Sequence, residues 1–251
     1  NAIGSNIANI GLVLGTTALI FPLLVSSKTL KREFPIMLVM MVLVLFLILD
    51  HELSRYDGII LVSGIVAFTV WLIRMAKTKK GYEPLTHEFD HEIPKVSLRT
   101  SCSWTLIGLV LLLASSQVLV YGAVNLAKYF GVSDLIIGLT IIAIGTSLPE
   151  LATSVMSAIK NEPDIALGNI IGSNMFNLLA VLGIPAIISP ISLEPNVITR
   201  DYATMLGFSV LLFIFAYGFR QQGRINRLEG AGLLAGYLAY MAYLYINVLH
   251  P

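Results

Sequence analysis

Residues 1–22 read NAIGSNIANIGLVLGTTALIFP and residues 169–190 read NIIGSNMFNLLAVLGIPAIISP; laid over one another without a gap, they agree at twelve of 22 positions. The shared set includes Gly4-Ser5-Asn6, Asn9, Val13-Leu14-Gly15 and Pro22 against Gly172-Ser173-Asn174, Asn177, Val181-Leu182-Gly183 and Pro190. Agreement of that density at a fixed offset is an internal repeat. The match continues with Arg32-Glu33-Phe34 on Arg200-Asp201-Tyr202. After a shift of four residues, Arg55, Asp57, Gly58 and Gly64 fall on Arg227, Glu229, Gly230 and Gly236. Three helices therefore recur.

Around the repeat the chain is apolar beyond the needs of one soluble core: 56% of its 251 residues are hydrophobic and 12% charged, with a mean hydropathy of +0.82. Such a balance places it in a bilayer as an all-α, polytopic membrane protein. Apolar stretches of spanning length predict eight helices, at 1–24, 35–49, 58–76, 104–127, 134–159, 168–189, 202–219 and 229–248. Alternating the loops between two sides puts thirteen Lys and Arg residues on one side and only Arg55, Lys128 and Arg200 on the other. By the positive-inside bias the first side is cytoplasmic, and the C-terminus faces out. A net charge of +1 with no basic stripe excludes a nucleic-acid partner. The single cysteine, Cys102, excludes an intrachain disulfide. Residues 1–24 lack the basic start of a cleavable signal peptide.

The first copy of the repeat begins at the first helix and the second copy at the sixth, five spans later, so the copies cross the membrane in opposite directions. Inverted repeats are a signature of secondary transporters, which hold their substrate near the midplane at the repeat interface. The second copy is preceded by two helices that have no counterpart before Asn1. The expected whole is therefore a five-plus-five inverted repeat of ten helices, two of them lying ahead of this sequence. Residues 1–76 form the remainder of the first repeat, 77–103 a cytoplasmic linker too short to fold by itself, and 104–251 the second repeat.

Gly145-Thr146-Ser147-Leu148-Pro149-Glu150 interrupts an otherwise apolar span. A straight helix from Asp134 to Lys160 would put Glu150 about 24 Å from one end and about 15 Å from the other, at 1.5 Å per residue. A carboxylate at that depth is expensive, and it is retained where it binds an ion or relays a proton. Pro149 cannot donate to the carbonyl of Gly145, which leaves backbone oxygens free. Freed carbonyls, hydroxyls and a carboxylate are hard oxygen ligands suited to calcium or sodium. Thr146 and Glu150 stand one turn apart, as do Ser173 and Asn177, and Ser5 and Asn9. For the Ser and Asn residues alone, close packing of helices through small side chains remains an equal reading. Glu150 does not fit that reading.

These two motifs, Gly145-Thr146-Ser147-Leu148-Pro149-Glu150 and Gly168-Asn169-Ile170-Ile171-Gly172-Ser173-Asn174, resemble the second alpha repeat of sodium/calcium exchangers. Asn1-Ala2-Ile3-Gly4-Ser5-Asn6 resembles the latter half of the first. The resemblance implies ten helices and alternating access, with sodium entry driving calcium out through a shared midplane site. Carried over by position, it implies Glu150 as the shared carboxylate, with Thr146, Ser147 and Ser173 as oxygen ligands. It also implies the carbonyl of Ala143 as a sodium ligand, with Ser5 and Asn9 as first-repeat counterparts. Asn177 stands where many members carry Asp, so both Asn9 and Asn177 are neutral, and the number and identity of the ions stay open. The partners expected are Ca2+, Na+ and the lipid of a bacterial inner membrane; no cofactor is expected.

Other readings find less support. His87-Glu88-Phe89-Asp90-His91 has the spacing of a zinc-protease helix, but it lies between Pro84 and Pro94 in the linker and reads as a solvated loop. An intramembrane hydrolase built on Ser147 lacks a base, since His51 and His250 lie in a loop and at the terminus. An antiporter of other cations or protons remains open, and so does a cation channel, although inverted repeats with broken helices favour a carrier. Tyr56, Trp71, Trp104 and Tyr129 lie near span ends, where interfacial anchoring explains them.

Overall fold

In lipid every backbone N–H and C=O must be satisfied within the protein, which leaves an apolar chain little choice but helices. The computed structural model describes residues 2–25, 30–77, 97–131, 137, 141, 143–194, 196–217 and 223–249. Nine helices are seen among them: α1 Ala2–Ile20, α2 Leu30–Leu47, α3 Arg55–Lys77, α4 Leu98–Tyr129, α5 Ala143–Thr146, α6 Leu148–Ile159, α7 Pro163–Ile188, α8 Val197–Tyr217 and α9 Arg227–Leu249. Five of these, α1, α3, α4, α7 and α8, are long and apolar enough to cross a membrane. Three more expected spans are present as helices: Leu30–Leu47, which carries Lys31, Arg32 and Glu33 in its first turn, Leu148–Ile159, which has twelve residues, and Arg227–Leu249.

Several boundaries differ from the sequence expectation. Ser97 caps α4 by accepting from the Thr100 amide at 3.2 Å, so the helix begins at Leu98 and takes up the last six residues of the expected linker. None of the 32 residues of α4 is buried, and Leu111 and Val118 are 63% and 71% exposed, as suits a surface bathed in lipid rather than water. The span expected at 134–159 is not continuous: the chain turns at Ser147 between α5 and α6. The rest of the expected linker, including His87 and His91, lies outside the described residues.

To the all-α architecture are added two short antiparallel strand pairs. Leu23–Val25 (β1) pairs with Gly223–Ile225 (β4), and Glu52–Leu53 (β2) pairs with Ile191–Ser192 (β3). Their registers, Leu23↔Ile225 and Leu53↔Ile191, are the same contact seen from the two repeats, because Leu23 aligns with Ile191 and Leu53 with Ile225. The helix crossings obey the same relation. Gly15 of α1 meets Gly230 of α9, and its repeat mate Gly183 of α7 meets Gly58 of α3. Arg227 donates to the Ile20 carbonyl at the end of α1, and Arg55 to the Ile188 carbonyl at the end of α7, both at 3.4 Å. Reciprocal caps start both partner helices: Ser54 with Asp57, and Asn226 with Glu229. The two copies thus exchange partners about a pseudo-two-fold, the geometry the inverted repeat requires.

On that axis lies the core. Ile7, Ile10 and Leu14 of α1 pack with Ile170, Leu178 and Leu179 of α7, flanked by Met37 and Met41 of α2 and Met205 and Leu212 of α8. Flexible thioethers suit packing against irregular helices. Both helices deform at the same repeat position: a π-helical segment opens at Asn9 in α1 and at Asn177 in α7, and regular helix resumes at Gly15 and Gly183.

Candidate cation site

Three breaks in helix geometry converge on this centre. The first is at Ser147, where the amide bonds back to Ile144 O at 3.0 Å and the chain then restarts as α6 with Pro149 in its first turn, where a missing N–H is harmless. Gly145 lets α4 approach here, since a Cβ would collide with Val120, and the freed Gly145 carbonyl accepts from Ser116 Oγ at 3.2 Å. The other two breaks are the π-segments, which re-aim the side chains at their starts and are frequent at functional sites.

Between the breaks lies a cavity of about 190 Å³ whose polar lining is Ser5, Asn9, Thr146, Ser147, Glu150 and Asn177, closed by Ala2 and Val181. Six of the eight residues expected from sequence are therefore brought to one cavity. Ser173 joins them through a bond, donating from Oγ to Glu150 Oε1 at 3.3 Å. Ala143 opens α5, and its surroundings lie outside the described residues.

Hydrogen bonding around the cavity leaves a particular set of atoms unused. Asn9 Nδ2 donates to Ser173 Oγ at 3.1 Å and to Asn174 Oδ1 at 3.0 Å. Asn177 Nδ2 donates to Asn6 Oδ1 at 3.0 Å. Asn169 Nδ2 donates to the Glu150 carbonyl and to Ser154 Oγ, both at 3.3 Å, tying α7 to α6 beside the carboxylate. After these bonds, Glu150 Oε2, Asn9 Oδ1 and Ser147 Oγ are buried with no hydrogen-bond partner among the described residues. Each buried acceptor without a donor costs about 1–3 kcal/mol, and an ionised one costs more. A cation bound in the cavity would offset these oxygens together. Among the described residues no three of His, Cys, Asp and Glu gather, so Glu150 supplies the charge and neutral oxygens complete the set. Hard oxygen donors of this kind suit sodium or calcium.

Asn6, Asn174, Asn169, Ser154 and Ser116 were not singled out by sequence. Asn6 and Asn174 carried a usable signal: each is identical in the repeat and stands three residues before Asn9 or Asn177, hence on the same helix face.

Residues 1–74 and 100–246 match the model of the sodium/calcium exchanger protein family. The chain belongs to that family. It is 46% identical over 246 residues to the protein CaxA of Alkalimonas amylolytica, covering 98% of this chain and 77% of the relative. It is 40% identical over 247 residues to the inner membrane protein YrbG of Escherichia coli K12, covering 97% of this chain and 75% of the relative. Among solved structures it superposes on the sodium-calcium exchanger NCX_Mj with a TM-score of 0.79 at 31% identity, covering 96% of this chain and 74% of the other. The resemblance read from the Gly-Thr-Ser-Leu-Pro-Glu and Gly-Ser-Asn motifs is thus a family membership that runs through nearly the whole sequence. As in the other sodium/calcium exchangers, the chain is a polytopic helical membrane protein.

Proposed function

We propose that this chain is the ion-carrying part of a secondary cation antiporter that exchanges sodium for calcium by alternating access. One observation carries the reading: Glu150 Oε2, Asn9 Oδ1 and Ser147 Oγ are buried, without a partner among the described residues, at the cavity where the two deformed helices of the repeat meet. Calcium or sodium is the substrate, held by Glu150 with Thr146, Ser147, Ser173, Asn177, Ser5 and Asn9, and by the carbonyl of Ala143. Because Glu150 offers one carboxylate to either ion, the two compete for it, and competition for one site is what couples their movements.

Alternation follows from the pseudo-two-fold. The strand pairs, glycine crossings and arginine contacts are matched between the repeats. An arrangement that opens the cavity to one side has a near-equivalent, with the repeats' roles exchanged, that opens it to the other. The likeness to an inner membrane protein supports a bacterial inner membrane, and the distribution of Lys and Arg supports a cytoplasmic linker before α4 and a C-terminus outside. A passive cation channel and an antiporter of other cations are the alternatives. The test is radiolabelled calcium uptake into proteoliposomes carrying the full-length protein, loaded with sodium and diluted into sodium-free buffer. Uptake that rises and collapses with the sodium gradient supports exchange. Uptake indifferent to sodium supports the channel, and coupling to another cation alone removes calcium as substrate.

A further inference from the structure

On the exchange reading, an asparagine at a cation site faces a difficulty that a carboxylate does not. Its amide ends in one oxygen that can ligate and one NH2 that repels a cation, and the two ends are nearly equal in size. Packing alone does not decide which end faces the ion. This protein has two such residues at the cavity, Asn9 and Asn177, at the starts of the paired π-segments.

The geometry points to Asn6 and Asn174 as positioning residues that turn Asn177 and Asn9 oxygen-first toward the cation. Both are 0% exposed, and neither lines the cavity. Asn174 Oδ1 takes the Nδ2 of Asn9 and Asn6 Oδ1 takes the Nδ2 of Asn177, each at 3.0 Å. Because Asn6 aligns with Asn174 and Asn9 with Asn177, these are one interaction made twice, crosswise between the repeats. Asn6 is itself held: its Nδ2 donates to the Asn174 carbonyl at 3.3 Å and to Met205 Sδ at 3.6 Å, so its Oδ1 is the end left for Asn177. On the other side the result is visible directly, since Asn9 Oδ1 is buried at the cavity without a donor among the described residues while both bonds from its Nδ2 go to Ser173 and Asn174 of α7. Ser173 extends the arrangement, accepting from Asn9 and donating to Glu150, which leaves Glu150 Oε2 as the open oxygen.

The inference rests on the exchange reading, and its competitor is that Asn6 and Asn174 are only polar glue between helices. A carboxylate separates the two, because Asp presents oxygen whichever way it is turned and needs no orienting partner. The experiment measures sodium-driven calcium uptake by the full-length protein in proteoliposomes for Asn6→Ala, Asn177→Asp and the double variant. Its mirror set is Asn174→Ala, Asn9→Asp and their double. Removing one orienting hydrogen bond is expected to raise the half-saturating calcium concentration about five- to tenfold, with little change in maximal rate. In the Asn177→Asp background the same Asn6→Ala change is expected to move it less than about twofold, a non-additivity that shared packing would not produce. An equal loss in both backgrounds, or no change in either, overturns the inference. If Asn6→Ala does not yield folded protein, the mirror set is judged by the same rule. Unaltered protein that shows no counter-transport overturns the exchange reading and this inference with it, whereas intact counter-transport with background-independent losses overturns the inference alone.

Discussion

Four glycines set the distance at which the two repeats grip one another, and alanine at each measures how close that approach is. A Cβ on Gly15 would stand 2.8 Å from Leu234 N and 3.0 Å from Gly230 O; on Gly230, 2.8 Å from Leu19 N and 2.9 Å from Gly15 O. At the mate crossing, a Cβ on Gly58 would lie 2.7 Å from Gly183 O and 2.8 Å from Ile187 N, and one on Gly183 would lie 2.9 Å from Leu61 Cβ. Most of these neighbours are backbone atoms, which cannot swing aside, so a whole helix must move. Overpacking of this kind costs about 1–3 kcal/mol. Gly172 is the control, because a Cβ there meets nothing within 4 Å. Gly172→Ala receives only the gain in helix propensity, up to about 1 kcal/mol. A gap of about 2 kcal/mol between Gly230→Ala and Gly172→Ala corresponds to roughly 4–8 °C in Tm for a chain of this size. The assay is thermal unfolding of the purified protein in detergent, followed by the fluorescence of Trp71 and Trp104. The double variant Gly15→Ala/Gly230→Ala should lose less than the sum of the singles, since helices parted by one methyl leave room for the second. Crossing-glycine variants that melt with Gly172→Ala, or above it, would refute the close approach and the paired crossings built on it.

Three further outcomes follow from individual contacts. Asn226→Ala removes the cap that accepts from Glu229 N at 3.0 Å and should lower stability by about 1 kcal/mol, read in the same melts. Tyr202→Phe deletes the buried bond to Met41 O at 2.6 Å while keeping the ring, and should cost about 1–2 kcal/mol; its repeat mate Phe34, also buried, shows that a ring without a hydroxyl fits such a position. Ser173→Ala removes both the donor to Glu150 Oε1 and an acceptor of Asn9, and should raise the half-saturating calcium concentration about tenfold in vesicle uptake while the protein stays folded.

Most of the architecture could be read from residues 1–22 and 169–190, because a repeat of that quality fixes which helices correspond and, with five spans between the starts, their opposite directions. Glu150 was legible because charge in hydrocarbon is costly enough to need a reason. The break after Gly145 was legible only as a disturbance around Pro149; where the turn falls, at Ser147, depends on the approach of Val120 and Ser116 from α4. The π-segments at Asn9 and Asn177 follow from no pattern of residue type or spacing in the sequence. Strands of two or three residues show no alternation to detect, so the β1–β4 and β2–β3 pairs emerge only from the contact between repeats. Asn6 and Asn174 lay inside the quoted motif, yet their part depends on which amide ends meet across the axis, a property of tertiary packing rather than spacing.

Equilibrium binding of radiolabelled calcium to the purified full-length protein across a sodium titration, for unaltered protein and Glu150→Gln, reaches the shared carboxylate most directly. Sodium should displace calcium competitively from the unaltered protein. Glu150→Gln, which keeps the shape and removes the charge, should weaken calcium binding by about 3 kcal/mol or more, roughly a hundredfold. Calcium binding unchanged within about threefold in Glu150→Gln, or indifferent to sodium in the unaltered protein, would contradict a site in which the two ions compete for Glu150.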